Sequence, residues 1–258
     1  MHHVVMFSGG VGSYCAAKRV ITQNWPEKVT LLFADTCMED EDLYRFLKDA
    51  SRSLGVPITR IADGRTPWQV FKDRRFLGNS RVDLCSRILK RELMDAWVTE
   101  HFPDPTTVKC YVGIDWNEEH RFTRMAPRKL PYIYEAPMVA APYLLKEQML
   151  SILEADGVEI PRLYKMGFAH NNCGGFCVKA GVGSFKTLLK HLPERYAHHE
   201  AQEAALAAHL GKSITILRRV KNGARRNLSL KTLREEVESG RDDRAEDFDI
   251  GGCGCALE

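Results

Sequence analysis

Short apolar runs alternate with longer amphipathic ones along the first 160 residues, and this alternation narrows the choice of fold more than any other feature. An apolar run of about 4–8 residues suits a strand buried on both faces, and an amphipathic stretch of about 10–15 residues suits a crossover helix. Repeated in that order, they specify a parallel sheet with helices packed on it. Strands are expected over residues 4–7, 30–34, 58–62, 108–113 and 132–135, and helices over 12–22, 41–54, 86–101 and 144–155. Past Gly157 the pattern changes. Residues 161–183 are rich in Gly, Cys and Asn without periodicity, which reads as a functional loop, and 193–210 reads as a helix opening on Pro193. Roughly the last forty residues read as a charged, flexible tail ending in Gly251-Gly252-Cys253-Gly254-Cys255. The expectation is an α/β domain over 1–160 with a helical, cysteine-bearing extension over 161–258.

At 258 residues and 44% hydrophobic content the chain has ample material for a buried core. No apolar run reaches the roughly 18–20 residues of a membrane span. The opening residues lack the basic start and apolar stretch of a secretory signal, so the expected setting is cytoplasmic, away from any membrane. The net charge of +3 permits an anionic ligand without demanding nucleic acid. Basic residues concentrate in 212–231 and acidic ones in 235–249; the basic run reads as a solvated loop and helix, or as a nucleic-acid contact.

Eight cysteines are many for a chain kept reduced, where clustered thiols mean metal or redox chemistry more often than disulfides. Cys15 and Cys110 sit in apolar settings and read as core; Cys37 is ambiguous. The remaining five form three groups: Cys85, the C-x3-C pair Cys173 and Cys177, and the tail pair Cys253 and Cys255.

Between the first strand and first helix lies Ser8-Gly9-Gly10-Val11-Gly12-Ser13. Three glycines let the backbone approach an anion with its N–H groups turned inward, the helix N-terminus adds partial positive charge, and Ser8 and Ser13 offer hydroxyls. It is neither a Walker loop nor a G-x-G-x-x-G dinucleotide turn. Asp35, at the carboxyl end of the second strand, occupies a ligand-binding position of open α/β sheets, whereas Glu39, Asp40, Glu41 and Asp42 read as charges at a helix start.

The loop resembles the S-G-G-x-D-S pyrophosphate loop of the adenine nucleotide alpha-hydrolase-like (PP-loop) superfamily, with Gly12 where Asp is usual and Val11 where Lys is common. Downstream, Cys85-Ser86-Arg87-Ile88-Leu89-Lys90 is similar to the C-C-x-x-x-K segment of adenylyl-sulfate reductases. Gly113 with Glu118-Glu119-His120-Arg121 is similar to their G-x-R/I and E/Q-S-x-x-R segments. Pro161 through Phe168, followed by Cys173 and Cys177, resembles their P-L-Y-x-x-G-Y and G-C-x-x-C stretch. Four motifs in order identify residues 4–180 as similar to the phosphoadenosine phosphosulfate (PAPS) reductase-like family.

The resemblance implies a Rossmann-like PP-loop domain holding an adenine nucleotide (ATP, or adenylyl sulfate or PAPS as substrate), with Mg2+ a candidate companion ion. Ser8, Gly9, Gly10, Gly12, Ser13, Asp35 and Arg87 are then the candidate nucleotide-binding residues, and Lys90 and Arg121 candidate catalytic ones, with Arg124 a further basic candidate. It also implies a 4Fe–4S cluster on Cys85, Cys173 and Cys177. Ser86 stands where a fourth cysteine is usual, which leaves either an open iron or Cys253 or Cys255 folding back to complete the set. Structural zinc and thiol-only redox chemistry stay open, as does His170 as a ligand. Cys253 and Cys255 are also candidate catalytic thiols.

Three activities follow from these readings. The favoured one is ATP-dependent sulfur insertion into a nucleic-acid or nucleotide acceptor; the others are thiol-dependent reduction of adenylyl sulfate or PAPS to sulfite, and a non-catalytic binding module with structural zinc. A sulfur donor, a thioredoxin-like reductant and a second copy of the chain are the candidate partners. Whether ATP is cleaved, given Gly12 in place of the loop Asp, stays open.

Overall fold

The computed structural model describes residues 1–78, 82–221 and 224–241. A five-stranded parallel sheet in the order β3-β2-β1-β4-β5 forms its centre, from β1 (His2–Met6), β2 (Lys28–Asp35), β3 (Ile58–Ala62), β4 (Val108–Val112) and β5 (Ile133–Glu135). Helices α1 (Val11–Asn24), α2 (Glu41–Leu54) and α3 (Pro67–Asp73) follow the first three strands. Next come α4 (Leu84–Ser86), a π-helical stretch (Arg87–Glu92) and α5 (Leu93–His101) as one continuous rod. Beyond β4 come α6 (Glu119–Met125), α7 (Lys146–Ala155), α8 (Arg162–Lys165), α9 (Val182–His191) and α10 (Pro193–Leu210). Among the described residues no helix is long and apolar enough to cross a membrane.

The period of two in the strands explains the layers. Val5, Phe7, Leu31 and Phe33 face one way, into a core shared with α1, α2 and α7. Val4, Met6, Leu32 and Ala34 face the other, against Met94 and Val98 of α5. Both faces being apolar, the central strands read as continuous hydrophobic runs. Cys15 and Cys110 are buried in these cores, as the sequence suggests. A third core joins Trp68, Phe71, Leu84 and Leu89 to Leu163, Phe168, Phe176 and Phe185, so α3 and the rod that begins with α4 pack with the C-terminal extension.

The strand order sets where a ligand sits. The chain leaves β1 toward β2 and β3, then crosses back to β4 on β1's other side, so the crevice at the carboxyl ends of β1 and β4 is a topological switch point. Gly12 and Gly113 close its floor: a Cβ on Gly12 would lie 3.3 Å from the Gly113 carbonyl oxygen, and one on Gly113 would lie 2.9 Å from Ser13 backbone. A Cβ at position 12 would make a tight contact, which the Gly113 carbonyl would have to relieve by a few tenths of an ångström.

The tail expectation is corrected in part. Instead of a flexible segment, Leu217–Lys221 (β6) and Ala224–Leu228 (β7) pair as an antiparallel hairpin, followed by α11 (Leu230–Glu238). Leu217, Leu228, Leu230 and Leu233 enter the third core, which supplies the burial that orders them. Glu203 of α10, itself buried, ties the hairpin down by accepting the Ile216 and Leu230 N–H groups, each at 2.8 Å. Helices α3, α6 and α9 were likewise not expected from the sequence. Residues 242–258, with Cys253 and Cys255, lie outside the described residues.

His199 stacks on Phe176 with ring centroids 3.7 Å apart, and its Nδ1 accepts the Trp68 indole N–H at 2.9 Å. Burial, aided by the nearby positive charges of His198 and Arg195, pushes its pKa down from 6.5 to about 3. A depressed folded-state pKa contributes stability that is present above 6.5 and is lost as pH falls toward 3, at up to about 1.4 kcal/mol per pH unit. Chemical denaturation of wild type and His199→Phe at pH 6.5 and 5 is expected to show the wild type losing up to about 2 kcal/mol more than the variant over that interval. Parallel pH dependences would contradict a buried neutral imidazole.

Candidate functional site

The β1–α1 turn is shaped by its glycines. Gly9 has φ +80°, open to glycine at little cost, and a Cβ there would come within 2.9 Å of Leu43. Gly10 caps α1 in extended conformation and has no side chain to bond the first-turn N–H groups, so the positive end of a 14-residue helix faces the crevice. Ser13 is buried, and its hydroxyl donates to the Gly10 carbonyl at 2.8 Å and braces the turn. Two side chains from the glycine-rich 161–183 segment reach this turn. Tyr164 Oη accepts the Val11 N–H at 3.1 Å, and Asn171 Nδ2 donates to the Gly9 carbonyl at 2.9 Å.

The β2–α2 turn supplies the acidic half. Asp35, fully buried, accepts from the Cys37 N–H at 2.7 Å, the Tyr44 hydroxyl at 2.9 Å and Arg60 Nη2 at 2.7 Å. These bonds hold exposed Cys37 at φ +55°, where a non-glycine residue is strained. The sequence reading treats Glu39 and Asp40 as helix-start charges, but both are buried. Glu39 accepts Thr36 Oγ1 at 2.9 Å and Lys90 Nζ at 3.3 Å, and its second oxygen accepts the Cys173 N–H. Asp40 caps α2 through the Asp42 N–H at 3.0 Å, takes Arg162 in two bonds at 2.7 and 2.9 Å, and takes Arg195 at 2.7 Å. Burial pushes the Asp40 pKa up, but the bonds from Arg162 and Arg195 outweigh it and hold the carboxyl below its usual range.

Cys85, Cys173 and Cys177 line one cavity, together with Thr36, Asp83, Ser86, Lys90 and Lys179. The π-helical stretch widens the turn after Cys85, and Lys90, five residues on, enters the same cavity with Nζ 4.0 Å from Cys173 Sγ. Asp83 anchors the start of this rod through two bonds to Arg91 at 2.9 and 3.1 Å. Burial, reinforced by neighbouring Cys173 and opposed by Lys90, pushes the Cys85 thiol up to about 12. Cys173, Gly174 and Gly175 all have positive φ (51°, 60° and 81°). A Cβ at Gly174 would lie 2.9 Å from Arg195, and one at Gly175 would lie 2.8 Å from the Phe168 ring. The C-G-G-F-C spacing therefore needs both glycines to wind the loop. Among the described residues no three His, Cys, Asp or Glu side chains converge on a single metal ion. His170 borders a neighbouring cavity that Cys177 also lines.

The basic candidates divide. Lys90 joins the thiols; Arg121 is buried beside Glu118 on α6. Arg87 is half exposed with Glu92 at 3.4 Å, and Arg124 is exposed and donates to its own helix at His120. The structure brings Ser8 through Ser13, Asp35, Lys90 and the three cysteines to the carboxyl edge of the sheet, while Arg87 is half exposed beside Glu92. Glu39, Asp40, Tyr164 and Asn171 are the participants that the sequence reading missed. Glu39 had one usable signal: it precedes the N-cap and so lies outside the helix whose dipole its charge was taken to serve.

Asp40 is the test of how the C-terminal layer is held. Asp40→Ala is expected to lower the unfolding free energy by about 2–3 kcal/mol, for a lost cap and two partly exposed arginine pairs. Asp40→Asn, which still caps, is expected to lose about half of that. Because the Asp40 pKa is depressed, its contribution is present above the unfolded value of 3.8 and vanishes as pH falls below it. A urea-unfolding change under about 0.5 kcal/mol, the range of an ordinary surface substitution, would contradict this assignment.

No family model matches the sequence, and no curated protein matches it. Among solved structures, the chain is similar to a PAPS reductase from Candida auris (15% identity, 65% of this chain and 78% of that one, TM-score 0.44). It is similar to the U34-tRNA thiolase NcsA from Methanococcus maripaludis with its [4Fe-4S] cluster (12% identity, 80% and 72%, TM-score 0.47). It is also similar to an NH3-dependent NAD synthetase from Campylobacter jejuni (15% identity, 81% and 84%, TM-score 0.41).

Proposed function

We propose that this chain is an adenine-nucleotide-dependent sulfur-handling enzyme that inserts sulfur into a nucleic-acid or nucleotide acceptor. Phosphates bind at residues 8–13 and sulfur is handled at the cavity of Cys85, Cys173 and Cys177. One observation carries this reading: the thiol loop is braced onto the phosphate turn. Asn171 holds the Gly9 carbonyl at 2.9 Å, and two residues later the Cys173 N–H is held by Glu39, whose other oxygen takes Lys90. Nucleotide and thiol chemistry at one sheet edge is the arrangement an activated acceptor and a sulfur carrier require.

The donor set fits a thiolate-bound cluster. Soft thiols select iron–sulfur or zinc, and Cys85, Cys173 and Cys177 line one cavity. Cys85, Cys173 and Cys177 are the residues that would hold a 4Fe–4S cluster, with Cys253 the candidate fourth ligand; the cluster, when bound, supplies an iron site for reduced sulfur. The chain's own groups do the rest. Backbone N–H groups at 9–11 bind phosphate, with Mg2+ as companion ion. Lys90 places positive charge beside the thiols, Arg121 orients the acidic end of the nucleotide, and Cys253 or Cys255 is the transferring thiol. A cytoplasmic setting keeps these thiols reduced.

Anaerobically purified protein is expected to be brown, with an absorbance band at roughly 400 nm, iron and acid-labile sulfide. Cys85→Ala and Cys173→Ala should each lose band and iron while far-UV circular dichroism is retained. Colourless protein with one zinc per chain would support the binding module instead. ATP hydrolysis linked to an acceptor separates insertion from reduction of adenylyl sulfate, which consumes no ATP.

A further inference from the structure

The turn at residues 8–13 contains no basic side chain, yet a half-buried cation stands over the tyrosine that covers it. Lys146, at the start of α7, holds its ammonium 4.6 Å from the Tyr164 ring centroid. Its hydrogen bonds go to the carbonyls of Ala169 at 2.9 Å and Phe168 at 3.4 Å. Among the described residues no carboxylate forms an ion pair with it. A cation taken partly out of water, with only the Coulombic pull of neighbouring Glu147 to offset it, is costly, and burial outweighs that pull and lowers its pKa. An arriving anion would offset that cost.

Two further groups around the turn lack what a ligand would bring. Asn171 is 1% exposed, and its Oδ1 has no hydrogen-bond partner, although its amide nitrogen is fixed on the Gly9 carbonyl. The Val11 N–H, at the positive end of α1, is occupied by the neutral Tyr164 hydroxyl. That N–H is the kind of donor a phosphate oxygen takes at a helix N-terminus.

We propose that Lys146 is a phosphate-binding residue, the cation for an oligophosphate seated on residues 9–11, and that Tyr164 is a neutral stand-in whose hydroxyl leaves the Val11 N–H when the phosphate enters. The turn carries no cation of its own and two of its positions are closely packed, Gly9 against Leu43 and Gly12 against Gly113, so α7 supplies one from outside it. This rests on the reading of 8–13 as a phosphate loop.

Calorimetric titration of the full chain with inorganic pyrophosphate and with ATP tests both parts. Lys146→Met is expected to weaken both ligands by about tenfold or more, as for loss of a charge-assisted contact, while Lys146→Arg restores most of the affinity. Tyr164→Phe, which keeps the ring and vacates the Val11 N–H, is expected to bind pyrophosphate about twofold to tenfold tighter. Thermal unfolding of each variant separates ligand effects from folding, and Lys146→Gln serves if Lys146→Met does not fold. Unchanged affinity in Lys146→Met and Lys146→Gln, with wild type binding, would overturn the lysine assignment alone. Unchanged or weaker binding by Tyr164→Phe would overturn the stand-in role. Wild-type protein that binds neither ligand would overturn the phosphate-loop reading itself, and this inference with it.

Discussion

Two adjacent buried carboxylates, Glu39 and Asp40, hold the C-terminal layer and the thiol loop to the sheet. Asp40 both starts α2 and receives Arg162 and Arg195 from segments more than 120 residues away. Glu39 fixes the backbone of Cys173 and the ammonium of Lys90. Carboxylates this deeply buried are costly unless each oxygen is satisfied. Here the satisfying groups come from different parts of the chain, so the requirement for pairing becomes a requirement for assembly. The third hydrophobic core then packs outward from this polar seam, joining α3 and α4 to α8, α9 and α10.

The site follows from the same constraint. The switch point between β1 and β4 opens a crevice, and the turns after β1 and β2 are the local structures nearest to it. Neither turn carries the thiols. They arrive because the 161–183 segment is pinned at Asp40, Gly9 and Glu39 in succession, and its two glycines permit the tight winding between Cys173 and Cys177. The rod formed by α4 and the π-helical turn delivers Cys85 and Lys90 to the same cavity. Strained φ values at Cys37 and Cys173 flank this meeting point, which is where a fold tolerates strain that its surroundings over-determine.

Much of this was legible. Helices 41–54 and 193–210 and strand 58–62 have the expected bounds. The helices carry strong punctuation: Asp40 and Gly55 (φ +66°) for one, Pro193 and Gly211 (φ +63°) for the other. Strand periodicity and the parallel sheet also follow from apolar spacing. Helix α3 carries a full capping box, Thr66 with Gln69, but its 7 residues are too few for a convincing period. The hairpin was hidden by its charges. Arg219 lies largely buried with Glu236 of α11 as partner, so one basic residue in the run serves an internal contact. The side-chain bonds of Asn171 and Tyr164 to residues 9 and 11 span more than 150 positions, and no local pattern announces them.

The central claim is that one sheet edge holds both the phosphate site and the thiols. A crystal structure of the chain with ATP bound tests it most directly. The account expects the phosphates on the N–H groups of residues 9–11, Tyr164 turned off Val11, and the nucleotide lying across the edge shared with Cys173. A nucleotide seated elsewhere, such as the cavity between α1 and α7 lined by Cys15, Lys18 and Ile152, would contradict it.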